Sequence, residues 1–116
     1  LVNLNNEGAG VFVTVQVTDL KGRKEENITH IRAYFCDHDN ELPPRDAYHL
    51  APSFIVKSSG KKGHSYWVLD ELVEANKESF HSLQKQLISH YNSDRMCKDL
   101  ARVMRLPGFL HQKDRE

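Results

Sequence analysis

Cysteine is scarce in this chain: Cys36 and Cys97 are the only two, and neither stands in a C-x-x-C pair. That spacing excludes a zinc ribbon, and the low count excludes a small secreted scaffold stapled by disulfides. No apolar run approaches the roughly 18 to 20 residues that span a bilayer, and no basic segment leads into an apolar one as in a signal peptide. Neither charge is in excess, since 16 Lys and Arg balance 16 Asp and Glu. The balance excludes a protein that coats nucleic acid by bulk charge alone. Internal repeats and low-complexity segments are also absent. Asn27-Ile28-Thr29 spells a glycosylation acceptor, a match frequent by chance, and nothing else in the chain is secretory. An intracellular, cytoplasmic protein is expected.

What is present suffices for a core. With 39% hydrophobic and 9% aromatic residues in a chain of 116, one domain spanning residues 1–116 can fold without disulfides or a structural metal. The chain starts at Leu1 rather than methionine and ends in a charged run from Gln112 to Glu116. A fragment of a longer protein is therefore expected.

The β-branched and aromatic run Val11–Val17 predicts a strand, and Asp19–Asn27 a solvated connection to a second strand over Ile31–Cys36. Pro43 and Pro44 mark a loop over Asp39–Asp46. Ser53–Lys57 and Tyr66–Leu69 predict two more strands, joined by the Gly- and Lys-rich turn Ser58–Gly63. Phe80, Leu83, Leu87 and Tyr91 then recur at helical spacing, predicting an amphipathic helix over Glu71–Tyr91 with Asp70, Glu71 and Glu74 at its positive end. A shorter helix is predicted over Met96–Met104, stopped by Pro107 and Gly108. Strands first and helices after predict an α+β fold, a small mixed or antiparallel sheet covered by helices.

Three segments carry chemistry. In Phe35-Cys36-Asp37-His38-Asp39 a strand ends in carboxylates at i and i+2, which share one face of an extended chain and suit a hard cation such as Mg²⁺ or Mn²⁺. The plainer reading is a solvated Asp-rich turn. Ile31, Ala33 and Phe35 share the aspartates' parity, so the apolar face must open into a cleft there, or the backbone must bulge. The second segment, Ser58 to Trp67, places Lys61 and Lys62 between Gly60 and Gly63. Such a turn offers backbone N–H groups and positive charge to a phosphate, although it lacks the Lys-Ser/Thr pair and helix of a P-loop. Taken alone, a basic hairpin is usually solvated. The third segment runs from Asp94 to Lys113, where Asp99 and Arg102 have the spacing of an i,i+3 ion pair. Lys85, Arg95, Lys98, Arg102, Arg105, Lys113 and Arg115 gather toward this end, so the neutral whole contains a basic third.

In this order the motifs resemble the archaeo-eukaryotic primase superfamily, especially the RepB-like primase domains of plasmids, phages and mobile elements. Asp37-x-Asp39 resembles the first motif and Ser59-Gly60-Lys61-Lys62-Gly63-His64 the second, with one residue fewer before the histidine. Asp94 stands where the third carboxylate is expected. It precedes Asp99-x-x-Arg102-x-x-Arg105-Leu106-Pro107-Gly108-x-x-His111, which resembles the nucleotide-binding signature. The resemblance implies an RRM-like catalytic core performing template-directed nucleotidyl transfer in DNA replication. It implies two Mg²⁺ or Mn²⁺ ions on Asp37, Asp39 and Asp94, with Asp99 a rival for the third ligand. Ser59, Lys61, Lys62, His64, Asp99, Arg102, Arg105, His111 and Lys113 are the implied nucleotide-binding set. The implied partners are single-stranded DNA template, nucleoside triphosphates and a helicase or accessory domain of the same protein, with no membrane. Tyr66 or Trp67 could stack on a base, although a Trp beside an apolar strand is more often core. Two other functions use the same residues. A non-catalytic module would bind single-stranded DNA or nucleotide, and a nuclease would cut DNA with metal alone.

Overall fold

The computed structural model describes residues 12–58 and 60–105. Its strands are β1 (Phe12–Thr14), β2 (Val17–Thr18), β3 (Ile28–His38), β4 (Phe54–Lys57), β5 (Gly63–Glu74) and β6 (Val103–Arg105), with one α-helix, α1 (Lys77–Tyr91). Four strands form an antiparallel sheet in the order β2-β3-β5-β4, and β1 pairs with β6 as a separate antiparallel ribbon. The α+β expectation holds, with sheets that are antiparallel throughout.

The run expected as one strand from Val11 is broken at Val15–Gln16, and two buried polar contacts explain why. The Gln16 side chain, 1% exposed, donates from Nε2 to the Ala33 carbonyl at 2.7 Å and accepts at Oε1 from the Arg32 N–H at 2.7 Å. Arg32 in turn donates to the Val15 and Thr14 carbonyls. The chain thus crosses from ribbon to sheet without stranding polar backbone groups in the interior.

Along the same edge of β3, the Gln84 side chain of α1 donates to the Phe35 carbonyl at 2.5 Å and accepts from the Phe35 N–H at 3.4 Å. One pleat further, the Asp94 N–H donates to the Asp37 carbonyl at 2.8 Å. Two glutamine side chains and one loop residue therefore do the work of a missing neighbour strand.

Two segments expected as helix are not helical. Residues Glu71–Glu74 extend β5, with Val73 opposite Ile31 and Glu74 opposite His30, and α1 starts at Lys77. Its N-cap is Asn76, whose side chain accepts from the Ser79 N–H, and it ends on Asn92 in the left-handed region at φ 51°. The segment Met96–Met104 is turn followed by β6. The helix buries Phe80, Gln84 and Ile88, while Leu83 of the expected apolar face is exposed.

The main core joins Val15, Ile28, Ile31, Ala33, Phe35, Tyr66, Phe80, Cys97, Leu100 and Met104. A second cluster, Cys36, Tyr48 and Trp67, lies on the opposite face of the sheet beneath Leu87 and Tyr91 of α1. Among the described residues no helix is long and apolar enough to cross a membrane.

Candidate active site

Alternation along β3 places Ile31, Ala33 and Phe35 in the core, 3%, 4% and 0% exposed, and puts Asp37 at the next position on that face. There the face opens into a cleft of about 400 Å³, lined among others by Asp37, Asp39, Lys62, His64, Arg102 and Arg105. Asp37 lies directly opposite His64 on β5, so both side chains share the core-facing side. Asp39 follows the strand end, and its N–H folds back onto the Asp37 carbonyl at 3.1 Å. The two carboxylates therefore reach the cleft around a bend rather than along an extended pleat. Arg102 and Arg105 arrive on and just before β6, which the β1 ribbon holds across the cleft. The Arg105 guanidinium lies 4.9 Å from the centre of the Phe12 ring.

The basic turn before β5 needs both of its glycines. Gly60 has φ +57°, the left-handed region, whereas a Cβ on Gly63 would come within 2.7 Å of the Val56 carbonyl and of the Leu42 side chain. The turn closes through Ser58 N–H to the Lys62 carbonyl at 3.1 Å and Leu42 N–H to the Lys61 carbonyl at 2.8 Å.

Burial controls the electrostatics here. It raises the Asp37 carboxyl above the usual range; His64 opposes that shift, while Asp94 and Asp39 reinforce it by repulsion. Burial likewise lowers the His64 imidazole, with Arg105 adding to the effect and Asp37 opposing it. His64 Nε2 lies 3.5 Å from Asp37 Oδ1. Desolvation outweighs their attraction, so both groups are drawn toward their neutral forms. His64 Nδ1 is buried with no hydrogen-bond partner among the described residues. Cys97 also lines the cleft, and burial pushes its thiol up to about 12, which keeps it protonated and weakly nucleophilic at neutral pH.

Among the described residues no three His, Cys, Asp or Glu side chains form a ready metal cage. The donors nevertheless fit a hard cation. Asp37 is held above its normal range partly by two neighbouring carboxylates, a repulsion that a divalent cation would relieve. Mg²⁺ commonly binds through one or two carboxylates and completes its shell with water and substrate phosphate.

The other expected site residues fall in different places. Asp94 docks by its backbone on Asp37, and its own Oδ1 accepts from the Met96 N–H at 2.9 Å. Asp99 is exposed and pairs with Arg102 at 3.2 Å, the plain i,i+3 reading. Lys61 is exposed and outside the cleft lining. Ser59, His111 and Lys113 lie outside the described residues. Neither Tyr66 nor Trp67 is open to a base. Tyr66 is buried beneath the half-exposed Phe54, with ring centres 4.7 Å apart, and Trp67 belongs to the second cluster. Sequence reasoning missed Phe12, Ser58 and Cys97 in the cleft wall. Only the Phe12–Arg105 pairing across the ribbon distinguishes Phe12 from any other strand residue.

Just behind the site, His38 is 2% exposed, and its Nε2 lies 2.7 Å from Ser65 Oγ, which also meets the Tyr48 hydroxyl at 2.6 Å. Burial first, and then the charge of His64, lower His38 from 6.5 to about 4. A histidine with a depressed folded-state value adds stability above its unfolded value and loses it as pH falls through the folded one. Stability should therefore fall between pH 6.5 and about 4, and His38→Gln should flatten that slope in urea titrations. An unchanged slope would mean that His38 is not the group being charged.

The model of the RepB DNA-primase N-terminal domain matches residues 23–116. The chain belongs to this family. It is also similar in structure to the AEP domain of the cyanophage S-2L primase-polymerase, with a TM-score of 0.75 and 27% identity over 98% of this chain and 62% of that one. This RepB-type primase domain thus has the archaeo-eukaryotic primase fold, and it spans under two-thirds of the cyanophage domain's length. No curated protein matches it.

Proposed function

We propose that the domain is the catalytic core of a DNA primase or primase-polymerase, extending nucleotide chains on a single-stranded DNA template. The supporting observation is convergence. Carboxylates from the end of β3, the basic turn and histidine before and on β5, and arginines of the β6 segment meet in one cleft. Family membership supplies the class of reaction.

Asp37, Asp39 and Asp94 would hold the divalent cations, Mg²⁺ or Mn²⁺, which supply Lewis acidity for the attacking 3′-hydroxyl and the departing pyrophosphate. Lys62, Arg102 and Arg105 bind the triphosphate and offset charge as it develops. His64, drawn toward its neutral form, lines the same cleft and would contact the nucleotide or water bound to it. Asp99 aims the Arg102 guanidinium, and Lys61 strengthens the positive field. Ser59, His111 and Lys113 complete the nucleotide-binding set. These contacts orient the nucleotide without reading its base, which the template selects by pairing. In the cell the domain works in the cytoplasm, in replication of a plasmid, phage or mobile element, beside a helicase or accessory domain of the same protein.

The test is Mn²⁺-dependent primer synthesis on single-stranded DNA. Arg105→Ala should raise KM for the nucleoside triphosphate about tenfold or more, the loss of a charge-assisted phosphate contact. A protein that binds DNA with indifference to metal and triphosphate would instead be a binding module. One that cuts DNA with metal alone would be a nuclease.

A further inference from the structure

The cleft leaves part of the basic third unused. Lys85, Arg95 and Lys98 border a separate groove of about 260 Å³ whose floor includes the buried Ile88. Among the described residues none of the three forms an ion pair. Lys85 and Arg95 are exposed and Lys98 is half-buried.

The groove is built by the loop that carries Asp94. After α1, the Ser93 N–H donates to the Ile88 carbonyl at 3.1 Å, and the chain turns back beside the helix until the Cys97 carbonyl accepts from Gln84 Nε2 at 3.4 Å. Lys98 follows Cys97, as Lys85 follows Gln84, which brings the two cations to one groove. The loop has two sides. Toward the site it presents the Asp94 N–H on Asp37 and the Cys97 side chain in the cleft wall. Toward the groove it presents the next residue in each case, Arg95 and Lys98. A polyanion leaving the cleft across this loop meets three cations that have no ion-pair partner among the described residues. Such a cluster repels itself until an anion neutralises it.

We infer that this groove is a second nucleic-acid contact, holding the phosphate backbone of single-stranded DNA outside the catalytic cleft. The inference rests on the primase reading for the identity of the strand. Among the described residues no aromatic side chain borders the groove, so the contact grips phosphate without stacking bases and is indifferent to sequence.

The test measures binding of a thymidine oligonucleotide to the intact protein over a range of salt concentrations. Each phosphate contact to a single strand contributes roughly 0.7 to the slope of log affinity against log salt. Replacing Lys85, Arg95 and Lys98 together by Gln should make that slope shallower by about 2. Affinity should fall about tenfold or more at moderate salt, while binding of nucleoside triphosphate with Mn²⁺ stays as in the wild type. Lys85→Glu alone, at an exposed helix position, should give the same direction should the triple variant fold poorly. An unchanged slope in a folded variant overturns the groove. Primer synthesis by the wild type is scored separately: a shallower slope without synthesis keeps the groove and rejects the enzyme, whereas synthesis with an unchanged slope does the reverse.

Discussion

Alanine at both Asp37 and Asp39 should abolish primer synthesis, a loss of at least about a thousandfold, while the thermal midpoint stays at or above that of the wild type. The two halves of this expectation have one cause. Asp37 sits where the apolar face of β3 ends, and burial, with Asp94 and Asp39 beside it, raises its carboxyl above the ordinary range despite His64. An acid whose folded-state value is raised contributes stability below its unfolded value, and that contribution is lost as pH rises through the folded one. At neutral pH the ionised Asp37 therefore works against folding. Asp37→Asn keeps the shape and removes the charge, so it should melt above the wild type at pH 7 and lose that advantage in acid. Asp39 is exposed, and its removal costs little structure. Primer extension read beside thermal melts decides the matter. Persistent synthesis would show that the cleft is not the active site, and a large fall in the midpoint of Asp37→Asn would show that the carboxylate is structural.

That site was largely legible because its parts are short local patterns. Asp37-x-Asp39 and the Lys62 turn were marked by residue type and spacing, while His64, Arg102 and Arg105 were marked by the resemblance to the primase superfamily, and all six side chains line one cleft. Sequence separation hides the rest. The stretch from Asp70 to Glu74 has the acidic start of a helix, but Val73 and Glu74 pair with Ile31 and His30 across the sheet; that pairing overrides a weak local preference. Cys97, Leu100 and Met104 recur at helical spacing and are all buried. They reach the core from turns and from β6, whose partner β1 is some ninety residues earlier in sequence, so no local window could show it. The break at Gln16 was equally silent, because its reason is a hydrogen bond to the backbone of β3.

Gln84 is the residue that sequence periodicity handled worst, and Gln84→Leu should be among the most damaging single changes. A glutamine on a helix surface usually faces water, yet this one is fully buried at 0% exposure. Its Nε2 donates to the Phe35 carbonyl at 2.5 Å and, more weakly, to the Cys97 carbonyl at 3.4 Å, and its Oε1 accepts from the Phe35 N–H at 3.4 Å. Leucine fills much of the same volume but leaves the Phe35 donor and acceptor buried without partners. At about 1 to 2 kcal/mol for each of these two unsatisfied groups, the variant should lose roughly 2 to 4 kcal/mol. For a domain of this size that lowers the melting midpoint by about 10 to 20 °C. Urea denaturation measures the loss directly, and a change below about 1 kcal/mol would mean that water or a backbone shift satisfies Phe35 instead. The damage should extend to the chemistry at temperatures where the variant is still folded. Phe35 is one pleat from Asp37 on the same strand edge, and the Cys97 carbonyl belongs to the loop whose Asp94 N–H holds the Asp37 carbonyl. Releasing Gln84 loosens both supports of that carboxylate, so kcat should fall while KM for nucleotide, which the proposed function assigns to Lys62 and the arginines across the cleft, changes little.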